Sequence, residues 1–213
     1  MKVELLSVGR LGTNCYLVVS AQKNAAIIDP GAQAEKIEQA ILDEHITPRM
    51  ILLTHSHFDH IGAVKELCDR YQIPVYIHPG ELDLLKRPHF NWSSTLKEVG
   101  QHILNTANLL QDGQMVALDE VHFRAVLTPG HTPGSVVFLC GEYMFSGDTL
   151  FLDDVGRCDL EGGNYPEMKR SLAKLAALEG DYTVCPGHGE STTLQYERRH
   201  NHYINQPMPR EDI

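Results

Sequence analysis

Four times in this chain an apolar, strand-like run ends and a histidine or aspartate follows at once. "LLTHSHFDHIG", residues 52–62, sets His55, His57, Asp59 and His60 directly after such a run. "FRAVLTPGH" ends in a Pro-Gly turn and His131. "YMFSGD" ends in Gly147 and Asp148, and "YTVCPGH" in Pro186, Gly187 and His188. Proline and glycine make tight turns, which place the next side chain at the edge of a sheet. A rigid sheet with ligand-bearing loops at its rim is how many folds position catalytic groups.

Any one of these ends is unremarkable alone, since a lone histidine is usually a satisfied surface or core residue. His45, His78, His89, His102, His122, His200 and His202 are read that way. The five histidines and two aspartates at the strand ends share one pattern, and that pattern fits divalent metal. Zinc takes imidazole nitrogen and carboxylate oxygen, and a catalytic zinc keeps a position open for water. The groups are better divided between two metals with one shared carboxylate than closed around one. Two metals about 3.5–4 Å apart activate water and stabilise developing oxygen charge. If the strand gives way to a loop after Thr54, His55 and His57 face one metal while Asp59 and His60 face the other. This is not the helical HExxH arrangement, whose histidines lie four apart on one helix face.

The surrounding elements alternate. Residues 2–8, 14–19 and 25–29 read as strands, and "AEKIEQAILDEH" from Ala34 as an amphipathic helix. "RMILLT" is a buried strand, "IGAVKELCDRY" a helix with Val64, Leu67, Cys68 and Tyr71 on one face, and "PVYIH" a strand. Residues 79–112, which include "RPHFNWSST" and the only tryptophan, read as short helices and a loop lying over something. Strands return in "QMVAL", "VHFRAVL", "SVVFLC" and "YMFSG". "EMKRSLAKLAAL" is a second clear helix with Met168, Leu172 and Leu175 on one face. "YTVC" is the last strand, and a short helix spans roughly residues 193–203. Strand–helix alternation favours sheets covered by helices, and one domain over residues 1–213 is the simplest organisation.

Composition narrows the function. The chain has 213 residues, 18 basic against 28 acidic, for a formal charge of −10. No long Lys/Arg run appears, which weighs against nucleic acid. No apolar run approaches a membrane span and no signal core opens the sequence, so a cytoplasmic protein is expected. The five cysteines are scattered without a CxxC pair, as free thiols in a reducing compartment are.

With "HSHFDH" at 55–60, His131 in "TPGHTPGS", Asp148 in "SGDTLF" and His188 in "PGHG", the chain resembles the metallo-β-lactamase superfamily over nearly its whole length. The resemblance implies an α/β fold, an αββα sandwich of two mixed sheets flanked by helices, with metals at the rim. It implies that His55, His57 and His131 bind the first of two divalent metal ions and Asp59, His60 and His188 the second. Asp148 would bridge them, with a water or hydroxide between. Zinc is the expected metal, with iron or manganese as substitutes.

"SGDTLF" followed by "GRCDLEGG" is most similar to glyoxalase II-like hydrolases, which cleave S-lactoylglutathione and related thioesters. True glyoxalase II carries a C-terminal helical domain, whereas the residues after Gly189 have room for one helix, so the resemblance is to a short single-domain branch. Arg157 and Asp159 could form a pair that orders the site, or a local salt bridge. The expected partner is a small acyl-thiol substrate, with Asp59 orienting the attacking water. The alternative within the superfamily is a persulfide dioxygenase using one iron on His55, His131 and Asp148. A nuclease is disfavoured by charge, a flavo-diiron protein by His57 where glutamate is usual, and a β-lactamase by the Asp59–His60 pair.

Overall fold

A computed structural model describes residues 1–87 and 97–205. His89 and most of the "RPHFNWSST" segment lie outside the described residues. The strands and helices in chain order are β1 (Lys2–Val8), β2 (Thr13–Val19), β3 (Asn24–Ile28), α1 (Ala34–Asp43), β4 (Thr47–Leu52), α2 (Phe58–Ile61), α3 (Val64–Tyr71), β5 (Val75–Ile77), α4 (Leu82–Lys86), α5 (Lys97–Thr106) and β6 (Asn108–Leu109). They continue with β7 (Met115–Leu118), β8 (Val121–Leu127), β9 (Val136–Cys140), β10 (Tyr143–Gly147), β11 (Leu150–Phe151), β12 (Asp154–Val155), α6 (Tyr165–Ala176), β13 (Thr183–Pro186), β14 (Thr192–Thr193), α7 (Leu194–His200) and α8 (His202–Asn205). A single 3-10 turn, Pro79–Glu81, joins β5 to α4.

Two mixed sheets stack face to face. The first has the order β1-β2-β3-β4-β5-β6, antiparallel through β3 and parallel from there on. The second runs β14-β13-β10-β9-β8-β7, with β10 and β13 its parallel pair. The period of two along each strand decides what each face meets. In β2, Cys15, Leu17 and Val19 pack with Ile37 and Ile41 of α1 and Val64 and Leu67 of α3. The intervening Tyr16 and Val18 point the other way, into the layer between the sheets, where Phe123, Phe138 and Phe145 of the second sheet meet them. That sheet repeats the device: Val137, Leu139 and Met144 face Met168, Leu172 and Leu175 of α6. The layers are therefore helix, sheet, sheet, helix, the αββα sandwich. Among the described residues no helix is long and apolar enough to cross a membrane.

Two helices are broken where the sequence reads as continuous. "IGAVKELCDRY" separates into the end of α2 and all of α3: the Ala63 amide donates to the Pro30 carbonyl at 2.9 Å instead of continuing the helix, and Gly62 lies so close that a Cβ would stand 2.1 Å from the Gly31 carbonyl oxygen. The C-terminal helix breaks at Asn201, whose side chain is drawn to the buried Glu197 carboxylate (2.7 Å) and the Asp154 carbonyl (3.1 Å). The β11–β12 hairpin has only two residues in each strand and carries no period to read.

Candidate metal centre

The loops after β4, β8, β10 and β13 converge on one rim of the sandwich. They bring together all seven strand-end residues. His55 and His60 are fully buried, His57 and His131 nearly so, and Asp59, Asp148 and His188 are half-buried. The ligand atoms of His55, His57 and His131 lie within 4.8 Å of one another, and so do those of Asp59, His60 and His188. His131 Nε2 is 2.8 Å from His57 Nδ1, and His188 Nε2 is 3.1 Å from Asp59 Oδ2. Asp148 stands between the two trios. Its Oδ1 is 3.4 Å from His60 Nε2, and its Oδ2 is 3.6 Å from His131 Nε2 and 3.7 Å from His188 Nε2.

The outward nitrogens show which atoms are free to bind. His55 Nδ1 meets the Thr54 hydroxyl at 3.1 Å, His60 Nδ1 meets Asp29 Oδ2 at 2.9 Å, and His131 Nδ1 meets the Arg157 carbonyl at 2.8 Å. Such a partner fixes ring orientation and leaves Nε2 to a metal. The buried atoms His55 Nε2, His57 Nε2 and Asp148 Oδ1 have no hydrogen-bond partner among the described residues. An unpaired buried polar atom costs about 1–3 kcal/mol. Three of them aimed into one cluster of imidazoles and carboxylates fit a divalent cation.

The two trios differ electrically on the chain's own charges. Burial, reinforced by His60 and the other rings, drives His55 well below the ordinary histidine range, and burial with His131 takes His57 down to about 3. Burial also opposes charge on His60, but Asp148, Asp29 and Asp59 outweigh it and push that ring up to about 10. Asp59 is held below the usual carboxylate range: burial works against this, and the His188 hydrogen bond with the charges of His60 and His188 prevails. His55 and His57 of the first trio are thus neutral rings, while the second trio forms a charged network.

Several supporting residues escaped the sequence reading. Asp29, 2% exposed, accepts from the Thr54 amide (2.8 Å), the Thr54 hydroxyl (2.6 Å) and the His60 ring. With its oxygens so engaged, it orients His60. The signal was present: "AAIIDPG" is a fifth apolar strand ending in aspartate and a Pro-Gly turn. Thr13 donates to Asp59 Oδ2 at 3.1 Å. Asn14 and Tyr16 of β2 tie down the last ligand loop through the Pro186 carbonyl, at 3.0 and 2.7 Å. These partners are distant in sequence and carry no motif.

Arg157 and Asp159 do pair, at 2.7 and 2.8 Å, but the pair is exposed to solvent. Arg157 touches the cluster through its backbone carbonyl on His131. Of the seven histidines read as ordinary, the six described lie outside the cluster; His78, for instance, accepts from the Gly80 amide at 3.1 Å.

A pocket of about 220 Å³ opens over the cluster, walled by Leu11, Phe58, Leu160 and Arg157. Beside it lies a groove of about 360 Å³ between the β1–β2 turn and the loop after β3, sharing Leu11, Phe58 and Asp59 with the pocket and carrying Arg10.

An αββα sandwich whose rim gathers histidines and aspartates around open ligand atoms defines a metal-dependent hydrolase, one that binds divalent metal through this His/Asp cluster. The family model for the metallo-beta-lactamase superfamily matches residues 8–188, and the chain belongs to that superfamily. Hydroxyacylglutathione hydrolase GloC of Haemophilus influenzae is 32% identical over 215 residues, covering 96% of this chain and 99% of its own. Among solved structures, the BLEG-1 B3 metallo-beta-lactamase matches with a TM-score of 0.86 and 36% identity over 96% of this chain and 100% of its own. TTHA1623, solved in a di-iron-bound form, matches with a TM-score of 0.79 and 35% identity over 94% of this chain and 99% of its own.

Proposed function

We propose that the chain is a two-metal thioesterase acting on a small acyl-thiol, S-lactoylglutathione or a related thioester. His55, His57 and His131 would hold one metal and Asp59, His60 and His188 the other, with Asp148 placed between the two sets. When bound, the metals supply Lewis acidity and bring the pKa of a coordinated water towards neutrality.

One observation carries the choice of substrate. Every acid–base side chain lining the pocket, namely His57, Asp59, His131, Asp148 and His188, belongs to the ligand set. The other walls are apolar, apart from Arg157, which stays charged. Among the described residues lining the pocket, no side chain is left to protonate a leaving group. A thiolate needs no such help, because its conjugate acid has a pKa near 8.5. The likeness to hydroxyacylglutathione hydrolase GloC supports the same reading. Asp59, kept as a carboxylate and hydrogen-bonded by Thr13, orients the attacking water. Leu11, Phe58 and Leu160 exclude solvent from the acyl group, and the adjoining groove gives the thiol carrier a place to lie, with Arg10 at its edge for an anionic carrier. A cysteine nucleophile is unsuited: the most accessible thiol, Cys158, is pushed up to about 11 by burial with a contribution from Asp159.

The test is metal content measured together with turnover of a thioester, an oxygen ester, an amide and a phosphodiester, the first three with matched acyl groups. The expected result is two metals per chain and a thioester rate exceeding the others by roughly tenfold or more, a difference of about 1.4 kcal/mol in barrier. An amide or phosphodiester cleaved as fast as the thioester overturns the assignment. One iron per chain with oxygen consumed on a persulfide replaces it with the dioxygenase reading.

A further inference from the structure

Glu81 is a carboxylate with no exposed surface, at the end of the 3-10 turn after β5. It is not a member of either trio. Its Oε2 accepts from the Ser56 amide at 2.8 Å and the Ser56 hydroxyl at 2.7 Å. Its Oε1 accepts from the Gly134 amide at 2.8 Å. Burying a carboxylate costs several kcal/mol unless its lone pairs are satisfied; three donors offset that cost in part, and burial still holds the carboxyl above its ordinary range.

The donors are placed tellingly. Ser56 sits between His55 and His57. Gly134 belongs to the turn that follows His131, a turn closed on itself by the Thr132 and Ser135 hydroxyls at 2.6 Å. The two loops that carry the first trio are thus joined through one side chain contributed by a third segment. The backbones have closed on each other around it: a Cβ on Gly134 would stand 2.7 Å from both the Glu81 amide nitrogen and Glu81 Oε1, and a Cβ on Gly80 2.8 Å from Gly134 Cα. The second trio has supports of its own in Thr13 on Asp59 and Asn14 on the loop before His188, while Asp29 serves both trios, on His60 directly and on His55 through Thr54.

We propose that Glu81 is a positioning residue for the first metal site, a clamp that fixes the loops of His55 and His57 against the loop of His131. Its loss weakens that site selectively. This rests on the two-site reading above. Glutamine keeps the volume of Glu81 but turns one acceptor into a donor facing an amide N–H, so the clamp opens on one side. Partners outside the ligand shell typically change metal affinity about 10–100-fold.

The experiment is stepwise Zn²⁺ titration of the full chain against a chromophoric chelator, with circular dichroism and melting of the chelator-treated proteins alongside. Wild type is expected to take up two ions. Glu81→Gln is expected to lose about tenfold or more in affinity at one step and leave the other unchanged. The loss should persist in a His188→Ala background, where the second site is disabled, and vanish in a His57→Ala background, where the first is. Ser56→Ala, which removes one hydrogen bond and leaves the carboxylate, should show a smaller loss at the same step, and carries the test if Glu81→Gln does not fold. Equal weakening of both steps with a lowered melting temperature, or no weakening at all, overturns the role of Glu81 alone. A wild type that takes up fewer than two ions overturns the two-site reading and this inference with it.

Discussion

At the scale of single residues, the centre depends as much on what is missing as on what binds. A Cβ on Gly187 would stand 2.2 Å from Asp148 Oδ1 and 2.8 Å from His60 Cε1. Its backbone is not in the left-handed region, so alanine there meets no conformational strain; the severest conflicts lie with the cluster, with a tighter-than-usual 3.1 Å approach to the Gly147 backbone beside them. Gly187→Ala is therefore expected to displace Asp148 and His60 while every ligand remains in the sequence. Forcing extra volume into a packed site costs on the order of 1–3 kcal/mol. Taken from metal affinity, that is roughly tenfold to a hundredfold. Metal content after dialysis, compared with a circular dichroism spectrum unchanged from wild type, checks it. A variant that retains two tightly held ions would show that the loop yields instead. The seven strand-end residues were legible because each lies just past an apolar run, with a glycine or Pro-Gly turn before His131, Asp148 and His188. Glycine at 187 was legible only as part of that turn, since its closeness to Asp148 depends on β10 and β13 being parallel neighbours.

Among elements, the β11–β12 hairpin and the loop after it act through backbone rather than side chain. His131 is oriented by the Arg157 carbonyl, and a Cβ on Gly156 would stand 1.7 Å from the Asp148 carbonyl oxygen and 3.3 Å from His131 Cβ. The Arg157–Asp159 fork is 59% and 69% exposed, so solvent screens it and it holds the loop only weakly. Arg157→Ala should accordingly change metal affinity by no more than about fivefold, whereas Gly156→Ala should lower both metal content and melting temperature. The two variants compared by metal titration and thermal melting separate these roles; a large loss of metal in Arg157→Ala would mean that the guanidinium, and not the carbonyl, holds the loop. The longer elements, β1 to β4 and α6, were readable from period because one face or both meet a core. This hairpin was not, since two-residue strands have no period. The break in the last helix was hidden for another reason: Glu197 accepts from the Asp153 amide (3.0 Å), the Thr192 hydroxyl (2.7 Å) and Asn201, contacts that no local pattern announces.

For the whole molecule, the opposed shifts of His60 and of His55 with His57 make stability depend on pH in two directions. An unfolded histidine titrates near 6.5. His60 joins the first sheet's Asp29 to the second sheet's Asp148, and its folded value is raised to about 10 by those carboxylates against the opposition of burial. Below pH 6.5 its contribution is fully present. As pH rises from there through about 10 the folded chain holds a proton that the unfolded chain has lost, and stability falls by at most about 1.4 kcal/mol per pH unit for that proton. His55 and His57 act in the opposite sense. Burial keeps them neutral in the folded chain, so below pH 6.5 the unfolded state gains protons that the folded state refuses, and stability falls with acid. The chelator-treated protein should therefore melt at its highest temperature close to pH 6.5 and lose stability on both sides. Zinc reverses the alkaline limb, because it binds deprotonated ligands and binds better as pH rises. Calorimetry from pH 5 to 9 with chelator and with zinc reads both limbs. A chelator-treated chain as stable at pH 9 as at pH 6.5 would mean that His60 is not held as a cation by Asp29 and Asp148, and that the two trios are not electrically distinct.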